Sequence, residues 1–90
     1  MKKSIITVVG KDQIGIIAKV CSYLSESRIN ILDISQTIVG GYFNMMMIVD
    51  LNESQKNFLQ ISDGLEALGK SIGCIIKIQM EDIFNEMQRL

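Results

Sequence analysis

The chain of 90 residues contains no histidine, no proline and no tryptophan, and its only cysteines are Cys21 and Cys74. Without histidine, neither a Ser-His nor a Cys-His nucleophilic centre can be assembled, and histidine-based metal sites have no ligands. The two cysteines are far apart and show no CxxC spacing, so we expect two small core residues in a reducing compartment. The sequence therefore predicts no catalytic residues, no metal site and no cofactor.

Clustered charge and long apolar runs are also missing. Nine Lys and Arg balance ten Asp and Glu, and no basic run exceeds Lys2-Lys3, whereas sequence-independent nucleic-acid binding needs several clustered cations. No apolar stretch approaches the roughly 20 residues of a membrane span, and Lys11-Asp12 interrupts the N-terminal apolar segment where a signal peptide would need its core. We therefore predict a cytoplasmic protein that binds neither nucleic acid directly nor a membrane.

What is present is a globular composition with 48% apolar residues. The β-branched residues 3–9 predict a first strand that ends at Gly10. A helix is predicted from an N-cap at Asp12 to about Ser27, because apolar residues recur at helical spacing, namely Ile17, Val20, Cys21 and Leu24.

The next segment predicts two strands joined by a tight turn. Residues 29–39 are strand-like, but their apolar phase changes near Asp33, which predicts either a bulge or cover on both faces. Gly40-Gly41 is typical of a hairpin connection. The third strand, 42–51, has apolar residues on one face (Phe43, Met45, Met47, Val49, Leu51) and also Met46 and Ile48 on the other, so both faces are expected to be covered.

The remainder predicts a second helix, a fourth strand and a tail. Asn52 followed by Gln55 resembles a capping box that opens the helix, and its apolar stripe is Phe58, Ile61, Leu65 and Leu68. The 69–73 stretch ends the helix, and alternation from Cys74 to Met80 predicts the fourth strand. The tail from Asp82 to Leu90 predicts a short helix with an apolar side formed by Ile83, Phe84, Met87 and Leu90.

The order βαββαβ predicts an α+β, ferredoxin-like fold with a four-stranded antiparallel sheet, two helices on one face and a short C-terminal helix. We divide the chain into a domain of residues 1–80 and a helical tail of residues 81–90 that packs on the domain or on a partner subunit. Two helices cover only one face of such a sheet, so the doubly apolar third strand favours a homodimer.

With catalytic and metal sites excluded, the residues best suited to bind a ligand lie at the start of the first helix. Free N–H groups there attract a carboxylate, Gly15 leaves room for a ligand, Asp12 can bind an ammonium group, and Asn30 offers a donor and an acceptor. These groups suit an α-amino acid. Each residue also has a plain structural interpretation, because Asp12 fits a helix cap, Gly15 fits close helix packing and Asn30 fits a turn.

The loop Gly10-x-Asp12-x-x-Gly15-Ile16-Ile17-Ala18, followed by Asn30-Ile31 and the strand from Tyr42-Phe43 to Asp50, resembles the ACT domain, a regulatory amino-acid-binding module. The segments Asp33-Ile34-Ser35-Gln36-Thr37-Ile38 and Gly41-Tyr42-Phe43, with the tail Glu81 to Met87, are similar to a family of stand-alone, uncharacterised small ACT proteins. That family in turn resembles the ACT regions of the glycine cleavage system transcriptional repressor.

The resemblance implies that copies pair side by side, often into an eight-stranded sheet, with an effector bound at the subunit interface. Its contact positions fall on Asp12, Ile14, Gly15, Asn30 and Ile31. Some members that bind ligands have a neutral Asn where this chain has Asp12, and an inward-pointing acid would repel a ligand carboxylate. We expect Asn30 of one subunit to serve the Asp12 loop of the other, so residues 8–34, which we call the corner, form half of a site.

Three hypotheses about function follow. The first is a non-enzymatic sensor that binds an amino acid or a similar small metabolite between subunits. The second is a protein–protein interaction or oligomerisation module that binds no small ligand and uses Met46, Ile48 and the tail. The third, an acylphosphatase-like enzyme of the same topology, is disfavoured because the first loop carries Lys11 where those enzymes carry an arginine.

Overall fold

The computed structural model describes residues 3–11 and 14–82 and contains the six predicted elements of the domain in the order βαββαβ. Their bounds are β1 Lys3–Lys11, α1 Ile14–Glu26, β2 Asn30–Val39, β3 Tyr42–Asp50, α2 Phe58–Ile72 and β4 Cys74–Met80. The strands form one antiparallel sheet in the order β2-β3-β1-β4, which confirms the ferredoxin-like prediction. The predicted tail helix lies, from residue 83 onward, outside the described residues.

The core lies between the sheet and the two helices. Alternate residues of the two central strands face the helices, and they pack with one buried stripe from each helix; the most deeply buried are Ile6, Val8, Met47, Val49, Val20, Leu24, Ile61 and Leu65. The predicted inner face of β3 is confirmed, since Phe43 through Leu51 are buried at every second position. On α1 the buried stripe is centred on Ile16, Val20 and Leu24, and the predicted Ile17 and Cys21 flank it half-buried.

The edge strand β2 contains the predicted irregularity. Its pairing with β3 shifts register between Ile31 and Asp33, so Leu32 forms a bulge. The bulge keeps Ile31 and Ile34 on the same face of the sheet in spite of their odd spacing. The hairpin prediction is confirmed as well, because Gly40 and Gly41 have φ of 59° and 84°, and two consecutive positive φ angles are the requirement of a type I′ turn.

The predicted start of α2 was wrong, because the Asn-x-x-Gln motif occurs twice and the second copy, at Asn57, begins the helix. The N-cap is Asn57, whose side-chain oxygen accepts from the N–H of Gln60 (2.8 Å), while the N–H of Asn57 donates to the Gln60 side chain (2.9 Å). At Asn52 the backbone N–H donates instead to the Asp50 carboxylate (2.9 Å), which closes a local turn and takes the donor that a capping box with Gln55 would use.

Glycines allow the helices to approach their neighbours closely. A Cβ at Gly64 would collide with the Tyr23 hydroxyl on α1, and a Cβ at Gly69 would lie 2.7 Å from the backbone oxygen of Cys74. These contacts explain why α2 tolerates two glycines in spite of their helix cost of about 1 kcal/mol each. In the part of the chain that the structure describes, no helix is long and apolar enough to cross a membrane.

Candidate functional site

The predicted corner begins where β1 passes beneath the start of α1. The prediction that Gly10 ends the strand was wrong, because β1 continues to Lys11 and Gly10 pairs with Phe43 and Cys74 inside the sheet. A Cβ at Gly10 would lie 2.7 Å from the Cβ of Cys74 and 3.2 Å from the Cδ1 of Ile16. Gly10 therefore permits the close approach that fixes where α1 begins.

Two of the predicted contact residues open α1 and face solvent. Ile14 is 92% exposed, and no described atom lies within 4 Å of where a Cβ would stand on Gly15. The close-packing interpretation of Gly15 thus has no support within one subunit. The first turn of α1, from Ile14, contains no acidic residue, and the first N–H groups of any helix lack intrahelical partners and carry a partial positive charge. Asp12 lies outside the described residues.

The other two contact residues, Asn30 and Ile31, open the edge strand β2. The end of α1 positions them: Arg28 has a φ of 59°, and the N–H of Ile29 donates to the Leu24 carbonyl (2.9 Å). Ile29 is buried and anchors the turn. Asn30 and Ile31 then follow in register with Asp50 and Val49 of β3, and both are exposed.

One subunit does not bring the two halves of the corner together. Asn30 stands opposite Asp50, which also pairs with Lys3 at the start of β1, whereas Lys11 at the other end of β1 stands opposite Tyr42. The eight residue steps from Asp50 to Tyr42 span about 26 Å at the usual rise of a strand. Gly15 and Asn30 of the same chain therefore lie at opposite ends of the sheet.

All ten residues of β2 are exposed, although the strand is rich in apolar side chains, namely Ile31, Leu32, Ile34, Ile38 and Val39. Asp33 is its only charged residue, and its carboxylate accepts from the N–H of Ile34 (2.8 Å). A long apolar edge without lysine is a template for pairing with another strand. The opposite edge, β4, carries the exposed Lys77 at its middle, a typical device against such pairing.

The apolar phase change in β2 was predicted from the sequence, but the exposure of the whole strand as an edge was not. The signal was present in the order of the elements, because the ferredoxin-like arrangement places the second strand at an edge of the sheet. The lack of lysine in residues 30–39 could also have indicated that this edge is open to pairing.

Two clefts lie elsewhere on the domain. One of about 390 Å³ lies between Lys3, Leu51, Lys56 and Met80, and one of about 380 Å³ lies between α2 and the β4 edge. Neither is lined by the exposed contact residues Ile14, Gly15, Asn30 or Ile31. In a single subunit these four residues are exposed and lie outside both clefts.

The ionisable side chains elsewhere on the domain offer few groups for metal binding or catalysis. Within the described ranges, no three His, Cys, Asp or Glu side chains cluster as metal ligands would. Both cysteines are free thiols, and partial burial raises the pKa of the Cys74 thiol, which disfavours the reactive thiolate. Lys56 is occupied by structural contacts, since its Nζ donates to the Ser27 hydroxyl (3.0 Å) and lies 4.7 Å from the centre of the Tyr23 ring.

The fold and its open edge define a small ferredoxin-like domain, and comparison with known proteins gives the family. The ACT domain model matches residues 3–79. A UPF0237 protein of Bifidobacterium longum is 57% identical over 90 residues, covering 100% of both chains. An ACT domain protein from Streptococcus pneumoniae superposes with a TM-score of 0.82 at 42% identity, covering 92% of this chain and 93% of that one.

A more distant structural neighbour is a protein proposed to be a glycine cleavage system transcriptional repressor. It superposes with a TM-score of 0.76 at 25% identity, and the match covers 88% of this chain and 45% of that one. The chain belongs to the ACT domain family, whose members are regulatory, metabolite-sensing domains. The match to the UPF0237 protein extends over the whole of both chains, so the chain is related to the small ACT proteins that its sequence resembles.

Proposed function

We propose that the protein is a non-enzymatic sensor, a homodimer that binds an amino acid or a similar small metabolite between its subunits. The observation that carries this proposal is the fully exposed, apolar edge strand β2, with one half of the predicted corner at each end of the sheet. The predicted contacts are Asp12, Ile14 and Gly15 of one subunit and Asn30 and Ile31 of its partner.

Two-fold symmetry supplies the missing half-site. If two β2 strands pair antiparallel about a dyad, the start of one strand lies beside the end of the other. Asn30 of the partner subunit then comes to the end of the sheet where Val39 and Tyr42 lie, which is also the end where Lys11 leads into α1. The arrangement extends the sheet to eight strands and covers the apolar residues of both edges.

The groups so combined suit a zwitterion. The N–H groups at the start of α1 suit a carboxylate, because they lack partners within the helix and carry the positive end of the helix dipole. The Asn30 carboxamide donates and accepts, and Asp12 serves the ammonium group. Charge-assisted hydrogen bonds contribute roughly 1.5–3 kcal/mol each, so three or four of them, less the cost of association, give micromolar to millimolar affinity.

A thermal-shift panel of amino acids tests the proposal. A ligand at about 100 times its Kd stabilises the folded state by about 2.7 kcal/mol, which is a shift of several degrees in a domain of this size. Asn30→Ala should abolish the shift. Asn44→Ala is the matched control, because Asn44 lies on the same sheet outside the proposed contacts and its side chain donates to the nearby Tyr42 carbonyl (3.3 Å).

The expected result is one responding amino acid whose effect the Asn30 variant loses and the Asn44 variant keeps. A panel with no response in a dimeric preparation would contradict the sensing function. A response that survives Asn30→Ala would contradict the proposed contacts but leave the function in place.

A further inference from the structure

The sheet face away from the helices, which we call the open face, is exposed to very different degrees along its length. Val9 is 39% exposed, Met46 is 41% exposed and Ile75 is 61% exposed, as expected of a face that neither helix covers. Ile5 lies on the same face of β1 as Val9, yet it is only 6% exposed. One end of the open face is therefore covered.

Cross-strand neighbours do not account for this burial. Ile5 is flanked by Ile48 on β3 and Gln79 on β4, and Val9 is flanked in the same way by Asn44 and Ile75. Val9 is exposed to solvent in spite of these two neighbours, so cross-strand neighbours alone do not bury a residue of the open face. The helices pack on the other face, so a further segment must lie over Ile5.

The chain itself supplies a segment at this place. The last residue of β4, Met80, pairs with Ser4, so the chain leaves the sheet beside Ile5. Residues 83–90 follow, and their sequence has an apolar side formed by Ile83, Phe84, Met87 and Leu90. Eight residues of helix would be about 12 Å long, enough to cross the two strand spacings, roughly 10 Å, that separate β4 from β3.

We propose that residues 83–90 dock through this apolar side on Ile5 and Ile48 of the same chain, a surface we call the Ile5 patch. Ile48 is half-buried and the next open-face residue of β3, Met46, is exposed, so the cover ends between them. The tail then belongs to its own subunit, and the β2 edge is left for the second copy.

Solvent paramagnetic relaxation of isoleucine methyl groups measures this cover directly. In the full-length chain, the enhancement at Ile5 should be about one tenth of that at Ile75, in proportion to exposed fractions of 6% and 61%. Phe84→Ser should raise the Ile5 enhancement several-fold and leave Ile75 unchanged. Asn85→Ser is the matched control and should change neither.

Deleting residues 83–90 should expose Ile5 and Ile48 together, and the Phe84 variant keeps the test valid if the shortened chain fails to fold. An unchanged Ile5 enhancement in Phe84→Ser overturns the proposal. So does protection of Ile5 that disappears when the full-length protein is diluted to monomer, because the cover would then be a second copy.

Discussion

A lysine at Ser35 should weaken the dimer specifically. Ser35 is exposed on the open face near the middle of β2 and pairs with Met46, so the substitution creates no clash within a subunit. In an antiparallel pair of β2 strands, the two Ser35 positions lie about 5–8 Å apart, depending on the residue through which the dyad passes. At about 8 Å two positive charges repel by roughly 0.5–2 kcal/mol for an effective dielectric constant between 80 and 20.

That repulsion corresponds to a rise of about 2- to 30-fold in the dimer dissociation constant. Sedimentation equilibrium at low ionic strength measures the change, and added salt should reduce it because the charges are exposed. Leu59→Lys is the matched control: Leu59 is 67% exposed on α2, so it adds the same charge away from the edge.

Mixing the Ser35→Lys and Ser35→Glu variants should restore association, because opposite charges then meet at the axis. If Ser35→Lys associates as tightly as the unsubstituted protein at low salt, or if the mixture gains nothing over either variant alone, β2 is not the dimer edge.

Three further predictions concern the fold. Gly69→Ala should destabilise the domain by about 1–2 kcal/mol in urea unfolding, because overpacking against the Cys74 backbone oxygen outweighs the gain in helix propensity. A more stable Gly69→Ala variant would contradict the close approach. Asn57→Ala should cost about 1 kcal/mol through loss of the capping box, whereas Gln55→Ala, outside it, should be nearly neutral in the same assay. Burial raises the pKa of the Cys74 thiol. The stabilisation that the protonated thiol gives the folded state is therefore fully present below the unfolded thiol pKa, and it is lost as the pH rises through the higher folded value. Urea unfolding between pH 7 and 10 should therefore show a fall that Cys74→Ala reduces.

Most of the fold could be predicted because its signals are local. The Gly40-Gly41 turn, the phase change near Asp33 and the alternation in β3 each depend on a few adjacent residues, and each is confirmed. The start of α2 could not be fixed in this way, since Asn-x-x-Gln occurs at Asn52 and again at Asn57. In the structure the two are distinguished by the turn that the Asp50 carboxylate closes at Asn52 and by the reciprocal hydrogen bonds between Asn57 and Gln60.

The role of Gly10 was not predictable either, because it depends on residues distant in sequence. A glycine after an apolar strand is typical of a chain turn, and only the approach of Ile16 and Cys74 shows that it lies inside the sheet. For the candidate site, the sequence named residues at both ends of α1. The expectation that Asn30 serves the other subunit was stated from the resemblance, but the distance between the two ends follows only from the register of β1, β3 and β2.

The separation of Gly15 from Asn30 by the length of the sheet has a consequence for how the protein would report on a metabolite. In the proposed dimer, a dyad perpendicular to the sheet between the two β2 strands would create two equivalent sites, one at each end of the strands, and every bound molecule would contact both chains. Occupancy and association are then linked equilibria, so ligand favours the dimer and dilution of the protein weakens apparent affinity. The response would thus depend on the cellular abundance of the protein as well as on the metabolite concentration.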